Sequence, residues 1–220
     1  MKLFPVVGVL AGGDLPSGHI ARLAGLAEFV VAADSGADRC LAEGVTPDLT
    51  LGDFDSLISS RADLREVLHL PDQETTDVDK LLAETARRGY RRIVLTGVEG
   101  DLPDHFLATL QSAAKSSLEV WFALRRGVGR VLRDGDRATV ASAPGDRVSL
   151  IPLLGCTGVV TEGLAWEVPE GRLHPLGPSG VSNRATASSI DVRLGTGALF
   201  LFAESADEPI SRLASSFKRP

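Results

Sequence analysis

Pro47-Asp48-Leu49-Thr50-Leu51-Gly52-Asp53-Phe54-Asp55-Ser56 is the stretch on which the reading of this chain turns. Asp48–Leu51 is a short, largely apolar run that stops at a glycine, and two acids follow it. Such a run, bounded by turn residues, reads as a buried strand. In extended backbone residues i and i+2 point the same way, so Asp53 and Asp55 are expected on one side. Two carboxylates there repel one another unless a cation sits between them. Mg²⁺ is the natural candidate, being hard, oxygen-seeking and commonly held by one or two carboxylates plus substrate phosphates. The same residues also read as a polar turn with Asp as a helix N-cap. The stretch alone does not choose between the two.

Four further apolar runs lie outward from it. They are Val6–Leu10 before Gly12-Gly13, Phe29–Ala33 before Asp34-Ser35-Gly36, Ile93–Thr96 before Gly97, and Glu119–Leu124. Helical spacing fills the gaps: Ile20, Leu23 and Ala24; Val78, Leu81, Leu82 and Ala86 within Thr76–Arg88; and the run His105–Ala114. Continuous apolar strands alternating with helices predict a parallel sheet covered on both faces. The opening Met1–Gly13 reads as its first strand rather than a signal peptide, since Pro5 interrupts it and no A-x-A pattern follows.

The texture changes near Gly127. Short strand-like runs follow (Arg130–Leu132, Ala138–Ala141, Val148–Pro152, Val159–Thr161, Ala165–Val168, Ile190–Arg193, Ala198–Phe202), with Asp134-Gly135-Asp136 and Pro144-Gly145-Asp146 as turns. The expected organisation is an α/β domain over residues 1–126, a small all-β sandwich over 127–205 and a tail, 206–220, that frays.

Composition narrows the function. The 220 residues carry 29 acidic and 23 basic side chains, a net −6. That balance disfavours nucleic acid and anionic membrane surfaces, both of which are held by clustered Lys and Arg. Residues 1–110 hold 18 acids against 10 bases, a balance of −8, while residues 111–220 stand at +2. No apolar run approaches membrane-spanning length. Cys40 and Cys156, far apart in sequence, suit a reducing cytoplasm. The four histidines lie singly, without zinc spacing. No G-x-x-x-x-G-K-[ST] occurs, so this is not a P-loop enzyme.

Four more segments hold candidate chemistry. In Asp72–Lys80, Thr76 is a plausible N-cap with Asp79 completing a capping box. Asp77 and Lys80 are i,i+3 neighbours that can present a metal ligand and an ammonium to a polyphosphate. In Ala32–Asp38 a strand runs through Asp34-Ser35-Gly36 into a helix, which offers backbone N–H groups and a carboxylate; an ordinary cap explains it as well. In Thr96–His105 a Gly-rich loop leads to Asp104-His105 at a helix start. In the β half, Trp166 is either a core residue or a stacking platform for an aromatic or cationic ring, and Pro178–Asn183 is a polar turn.

Taken in order, these segments resemble the thiamine pyrophosphokinase family, through Ala33–Gly36, Pro47–Ser56, Asp72–Lys80, Gly100–His105, Thr161–Trp166 and Ser182-Asn183. The resemblance implies a Rossmann-like catalytic domain, a β-sandwich thiamine-binding domain and a homodimer with active sites between subunits. It implies transfer of the pyrophosphoryl group of ATP to thiamine, with Mg²⁺ required, giving thiamine diphosphate and AMP. By motif position Asp34, Asp53, Asp55 and Asp77 form the acidic centre, with Asp53, Asp55 and Asp77 on the metal. Gln73, Thr76 and Lys80 lie near the phosphates, Asp104 on the nucleotide side, and Trp166, Ser182 and Asn183 on the thiamine side. Two positions depart from the family pattern. The Gly-Gly-Arg-x-Asp-His loop is Glu99–His105 here, without the first Gly or the Arg and one residue longer, and the basic residue often found before the Trp is Ala165. The alternatives are the same chemistry on another hydroxymethyl heterocycle such as a pterin, a non-catalytic nucleotide- or thiamine-binding protein, and a structural α/β protein whose acids only cap.

Overall fold

A computed structural model describes residues 2–13, 15–100, 102–177, 180–205 and 209–217. The chain forms two compact units, Met1–Val120 and Trp121–Pro220. In the first, strands β1 (Phe4–Val9), β2 (Ala27–Ala33), β3 (Leu49–Gly52), β4 (Val67–His69) and β5 (Arg92–Thr96) alternate with helices α1 (His19–Leu26), α2 (Gly36–Ala42), α3 (Asp77–Arg87) and α4 (Pro103–Lys115). The strands stand in the order β5-β1-β2-β3-β4, and every pair is parallel. β-Branched and aliphatic runs suit a sheet buried on both faces, and Phe4, Leu49, Leu51, Ile93 and Leu95 are fully buried with Leu23 of α1 and Leu81 of α3. β4 escaped the sequence reading because its three residues are too short to show a period.

The chain steps outward from β1 to β4 and returns through α3 to β5, on the other side of β1. Strand order therefore reverses between β1 and β5, the position at which open α/β sheets bind ligands at their carboxyl ends. Glycines let the two loops meet there. A Cβ on Gly12 would lie 2.5 Å from the Gly97 carbonyl oxygen. Gly97 itself has φ +71°, and a Cβ on it would lie 2.2 Å from the Leu10 carbonyl oxygen.

The second unit is β-rich. β6 (Glu119–Leu124), β7 (Gly127–Arg133), β8 (Arg137–Ala141), β9 (Arg147–Pro152), β10 (Val160–Glu162), β11 (Gly180–Arg184), β12 (Ser189–Arg193) and β13 (Ala198–Glu204) precede helix α5 (Pro209–Phe217). β6-β7-β13-β9-β11 pair antiparallel, and β10-β12-β8 form a separate antiparallel sheet. Ala165–Val168, expected as a strand, is irregular, and the polar turn expected at Pro178–Asn183 is occupied from Gly180 by β11; Pro178 and Ser179 lie outside the described residues. Where fraying was expected, α5 forms because Ile210, Leu213 and Phe217 recur at helical spacing and are buried; residues 206–208 and 218–220 of that tail are outside the described residues. Among the described residues no helix is long and apolar enough to cross a membrane.

One electrostatic knot fastens α3 to the sheet edge. The buried Glu84 carboxylate accepts hydrogen bonds from Arg87 Nε (2.6 Å) and Arg88 Nε (2.7 Å). Arg88 also pairs with Glu66, ahead of β4, and its guanidinium lies 5.4 Å from the centroid of the Phe29 ring on β2. The Arg87 hydrogen bond, against the opposing pull of burial, holds the Glu84 carboxyl below its usual range. A depressed carboxyl stabilises the fold above its unfolded pKa of about 4.3, and that contribution is lost as the pH falls through the folded value. Arg87 is 69% exposed, so solvent weakens the pair. Glu84→Gln is expected to cost about 1–2 kcal/mol at pH 7 in urea unfolding, and less at pH 3. An equal loss at both pH values would contradict the ionic account.

Candidate active site

Asp34 follows β2 with φ +44°, in the left-handed region. Asp and Asn enter that region more readily than other side chains. The turn is locked from three directions. The Asp34 N–H donates to the Leu51 carbonyl (2.9 Å), its carbonyl accepts from the Ala37 N–H (2.9 Å), and its Oδ1 accepts from the Phe54 N–H (2.9 Å). These bonds join the carboxyl ends of β2 and β3. The carboxyl fits there because position 52 has no side chain: a Cβ on Gly52, φ +144°, would lie 2.2 Å from Asp34 Oδ1. Asp34 is 6% exposed. Burial pushes its pKa up to about 6; the Phe54 N–H opposes this, and Asp77 and Asp53 add to it by their charge.

Asp53 and Asp55 do not share a side in the manner of extended backbone. β3 ends at Gly52, and Phe54 has φ +66°. The ring of Phe54 is buried and stacks on His69, with centroids 5.9 Å apart. The local turn is closed by Asp55 N–H donating to Asp53 Oδ1 (3.1 Å), and Gln73 Nε2 donates to Asp53 Oδ2 (2.7 Å). Together they hold the Asp53 carboxyl below its usual range. Asp55 is exposed and does not line the cavity described below.

Thr76 caps α3 through the expected capping box. Its Oγ1 accepts from the Asp79 N–H (3.1 Å), while Asp79 Oδ2 accepts from the Thr76 N–H (3.2 Å). Asp79 is thereby committed to the cap. Asp77 stays half-exposed at the helix start, with Lys80 Nζ 3.7 Å from its Oδ1, and Lys80 is buried.

A cavity of about 460 Å³ opens over these groups, lined by Asp34, Asp53, Gln73, Thr76, Asp77 and Lys80 together with Gly12, Gly97, Val98, His105 and Thr109. It sits at the β1/β5 reversal. Lys80 is the one Lys or Arg in the lining among the described residues. Among the described residues, no three His, Cys, Asp or Glu side chains are grouped closely enough to hold a metal ion between them. Asp104 and His105 are both exposed, and of the two only His105 lines the cavity. The sequence placed His105 beside Asp104 without separating them, and the clue was spacing, since His105, Ala108 and Thr109 share a helical face. Asp38 was also missed. Its carboxylate accepts from the Ile58 and Ser59 N–H groups (3.0 and 2.8 Å), which fastens the loop after Asp53 to α2. Asp101, in the altered loop, lies outside the described residues.

In the second unit Trp166 is 57% exposed, in irregular backbone rather than on a strand. The adjoining Ser182 is exposed with φ +65° and donates its N–H to Ser149 Oγ (3.2 Å). Asn183 is 6% exposed, and its amide bonds the Trp166 backbone at both ends: Oδ1 accepts from Trp166 N–H (3.2 Å) and Nδ2 donates to the Trp166 carbonyl (2.7 Å).

Two family models match the chain. Residues 20–122 match the catalytic domain of thiamin pyrophosphokinase, and residues 138–199 match the vitamin B1 binding domain of the same protein. The chain belongs to the thiamin pyrophosphokinase family. The catalytic-domain match contains every cavity residue predicted from sequence, and the binding-domain match contains Trp166, Ser182 and Asn183. Solved thiamin pyrophosphokinases share the fold. The Bacillus subtilis enzyme is 17% identical with a TM-score of 0.74, covering 91% of this chain and 99% of its own. The Candida albicans protein is 15% identical with a TM-score of 0.75, covering 92% and 89%. The Geobacillus thermodenitrificans protein is 21% identical with a TM-score of 0.74, covering 93% and 100%. A comparison with curated sequences finds no match.

The contact of Asp34 with Gly52 generates a stability prediction. Gly52→Ala combines an unfavourable φ with a clash at the carboxylate and is expected to cost about 2–3 kcal/mol. Gly44→Ala, where φ is +72° and no heavy atom lies within 4 Å of the new Cβ, should cost only about 1 kcal/mol. Equal losses in urea unfolding would show that Asp34 does not press on Gly52.

Proposed function

We propose that the chain transfers the pyrophosphoryl group of ATP to the hydroxyethyl arm of thiamine, releasing AMP. The observation that carries this reading is the convergence of Asp34, Asp53, Gln73, Thr76, Asp77 and Lys80 on one cavity at the strand-order reversal, in a chain matching both family domains. Lys80 presents its ammonium to the phosphates, and Thr76 and Gln73 bring polar groups to the same wall. In the absence of a P-loop, positioning and electrostatics at the strand ends supply the acceleration.

The donor set fits Mg²⁺. Asp53 and Asp77 offer hard anionic oxygens at the cavity wall, beside Asp34, whose raised pKa comes first from burial and further from the charges of Asp77 and Asp53. Two carboxylates plus substrate phosphates is a common Mg²⁺ arrangement, so three grouped protein ligands are not required. Asp53 and Asp77 would hold the ion; Asp55, off the cavity, is the weaker member of the sequence set. When bound, Mg²⁺ neutralises phosphate charge. Asp34, buried and with its pKa pushed up to about 6, would accept the hydroxyl proton of the acceptor.

Thiamine is cationic and aromatic, and the exposed Trp166 indole offers it a stacking face. The second unit exposes Leu154, Val160, Trp166 and Val181, apolar side chains of the kind that oligomer contacts cover. We therefore also propose a homodimer, with a mass twice 23.2 kDa in sedimentation equilibrium. The free, buried Cys40 and Cys156 suit a reducing cytoplasm.

The test is product analysis after incubation with ATP, Mg²⁺ and thiamine. Thiamine diphosphate with AMP is expected; ADP, or tight thiamine binding with no product, would overturn the reading, and turnover of a pterin in place of thiamine would move it to that substrate. Asp53→Asn should lower kcat by about 100-fold or more while leaving the thermal midpoint within a few degrees. Near-normal turnover would remove Asp53 from the metal.

A further inference from the structure

We infer that Asn183 is a positioning residue that sets the Trp166 indole, rather than a contact for the vitamin. The inference rests on the thiamine reading above.

The sequence pairs Ser182 with Asn183 as though both faced a ligand, and the structure divides them. Along β11, Gly180 pairs with Leu150 and Asn183 with Val148, so three residues of β11 advance against two of β9. That is a bulge, a device that re-aims side chains. Its strained member is Ser182, at φ +65°, and the hydroxyl of Ser182 is left at the surface. The residue after it is turned inward, and Asn183 is 6% exposed.

Every polar atom of the Asn183 amide has a use within the protein. Oδ1 accepts from the Trp166 N–H (3.2 Å) and the Arg184 N–H (2.8 Å), and Nδ2 donates to the Trp166 carbonyl (2.7 Å). The orientation follows from the partners, because a flipped amide would set its NH₂ against two N–H donors. Trp166 lies in irregular backbone, so no sheet ladder fixes it. The Leu164–Ala185 bridge and the bond from Ala165 N–H to the Arg184 carbonyl (2.8 Å) hold the preceding residues. From Trp166 onward the two-ended bond from Asn183 replaces the missing strand partner. An amide that grips both the N–H and the C=O of one residue fixes the direction of its Cα–Cβ bond, the axis from which the indole projects. Asn183 is buried, and its Oδ1 and one N–H of its Nδ2 are spent on backbone.

The second tryptophan makes the clamp observable without any substrate. Trp121 is 2% exposed and packs beside Phe217 and Arg130. In a Trp121→Phe background all indole emission comes from Trp166. Adding Asn183→Ala should lower its steady-state anisotropy and raise acrylamide quenching. Asn183→Asp, which keeps the acceptor and loses the donor to the carbonyl, should fall between. Unchanged anisotropy in both variants would overturn the inference, and the Asp variant covers the case in which Asn183→Ala does not fold.

Kinetics give the second arm in the otherwise unsubstituted enzyme. Asn183→Ala should raise KM for thiamine about tenfold and leave KM for ATP within about twofold. Combined with Trp166→Ala it should add no further loss, since it acts through that residue. Additive losses would mean that Asn183 contacts thiamine directly and would overturn the inference. If the unsubstituted protein neither binds nor turns over thiamine, the proposed function fails instead, and the anisotropy arm still decides whether Asn183 sets Trp166.

Discussion

A buried carboxyl facing two other carboxylates needs a reason to stay where it is, and for Asp34 the reason is backbone. Its left-handed turn sends its N–H to Leu51 and brings its Oδ1 to the Phe54 N–H. Those bonds join the ends of two neighbouring parallel strands. Gly52 clears the space beside the carboxyl, and α3 arrives with Asp77 and Lys80 at its first turn. The fold thus keeps the buried Asp34 carboxyl beside Asp77 and Asp53, whose charges add to the effect of its burial. Local strain and a raised pKa at such a point are the marks of a site built for a ligand rather than for stability.

The second unit uses the same economy of means in another form. Its exposed tryptophan is held not by a strand but by one buried amide, which reaches it because a bulge has turned Asn183 inward. In both units a non-glycine residue at positive φ, Asp34 or Ser182, stands beside the groups proposed to meet substrate.

How much of this was legible in the sequence depends on the range of the interaction. The parallel sheet, α3 with its capping box and the acids at strand ends follow from local pattern, because apolar runs, glycines and a Thr-x-x-Asp cap act over a few residues. Asp55 was misplaced because its reading assumed extended backbone through Phe54, whose buried ring is accommodated by a positive φ instead. Asp104 was assigned by its place in the family motif, while the helix phase, which the motif does not carry, puts its neighbour His105 in the cavity lining. The bonds from Asn183 to Trp166 were not visible in the sequence because the two residues are brought together by tertiary structure alone. The tail helix α5 was passed over because Pro209 and the terminal charges suggested fraying, while the burial of Ile210, Leu213 and Phe217 outweighs them.

The central claim is that the cavity holds unneutralised negative charge that accepts nucleotide only together with a divalent cation. Calorimetric titration with a non-hydrolysable ATP analogue, with excess Mg²⁺ and again in EDTA, tests it most directly. The account predicts saturable binding with Mg²⁺ and at least about a hundredfold weaker binding in EDTA. Equal affinity in the two conditions, or binding unaffected by Asp53→Asn, would contradict it.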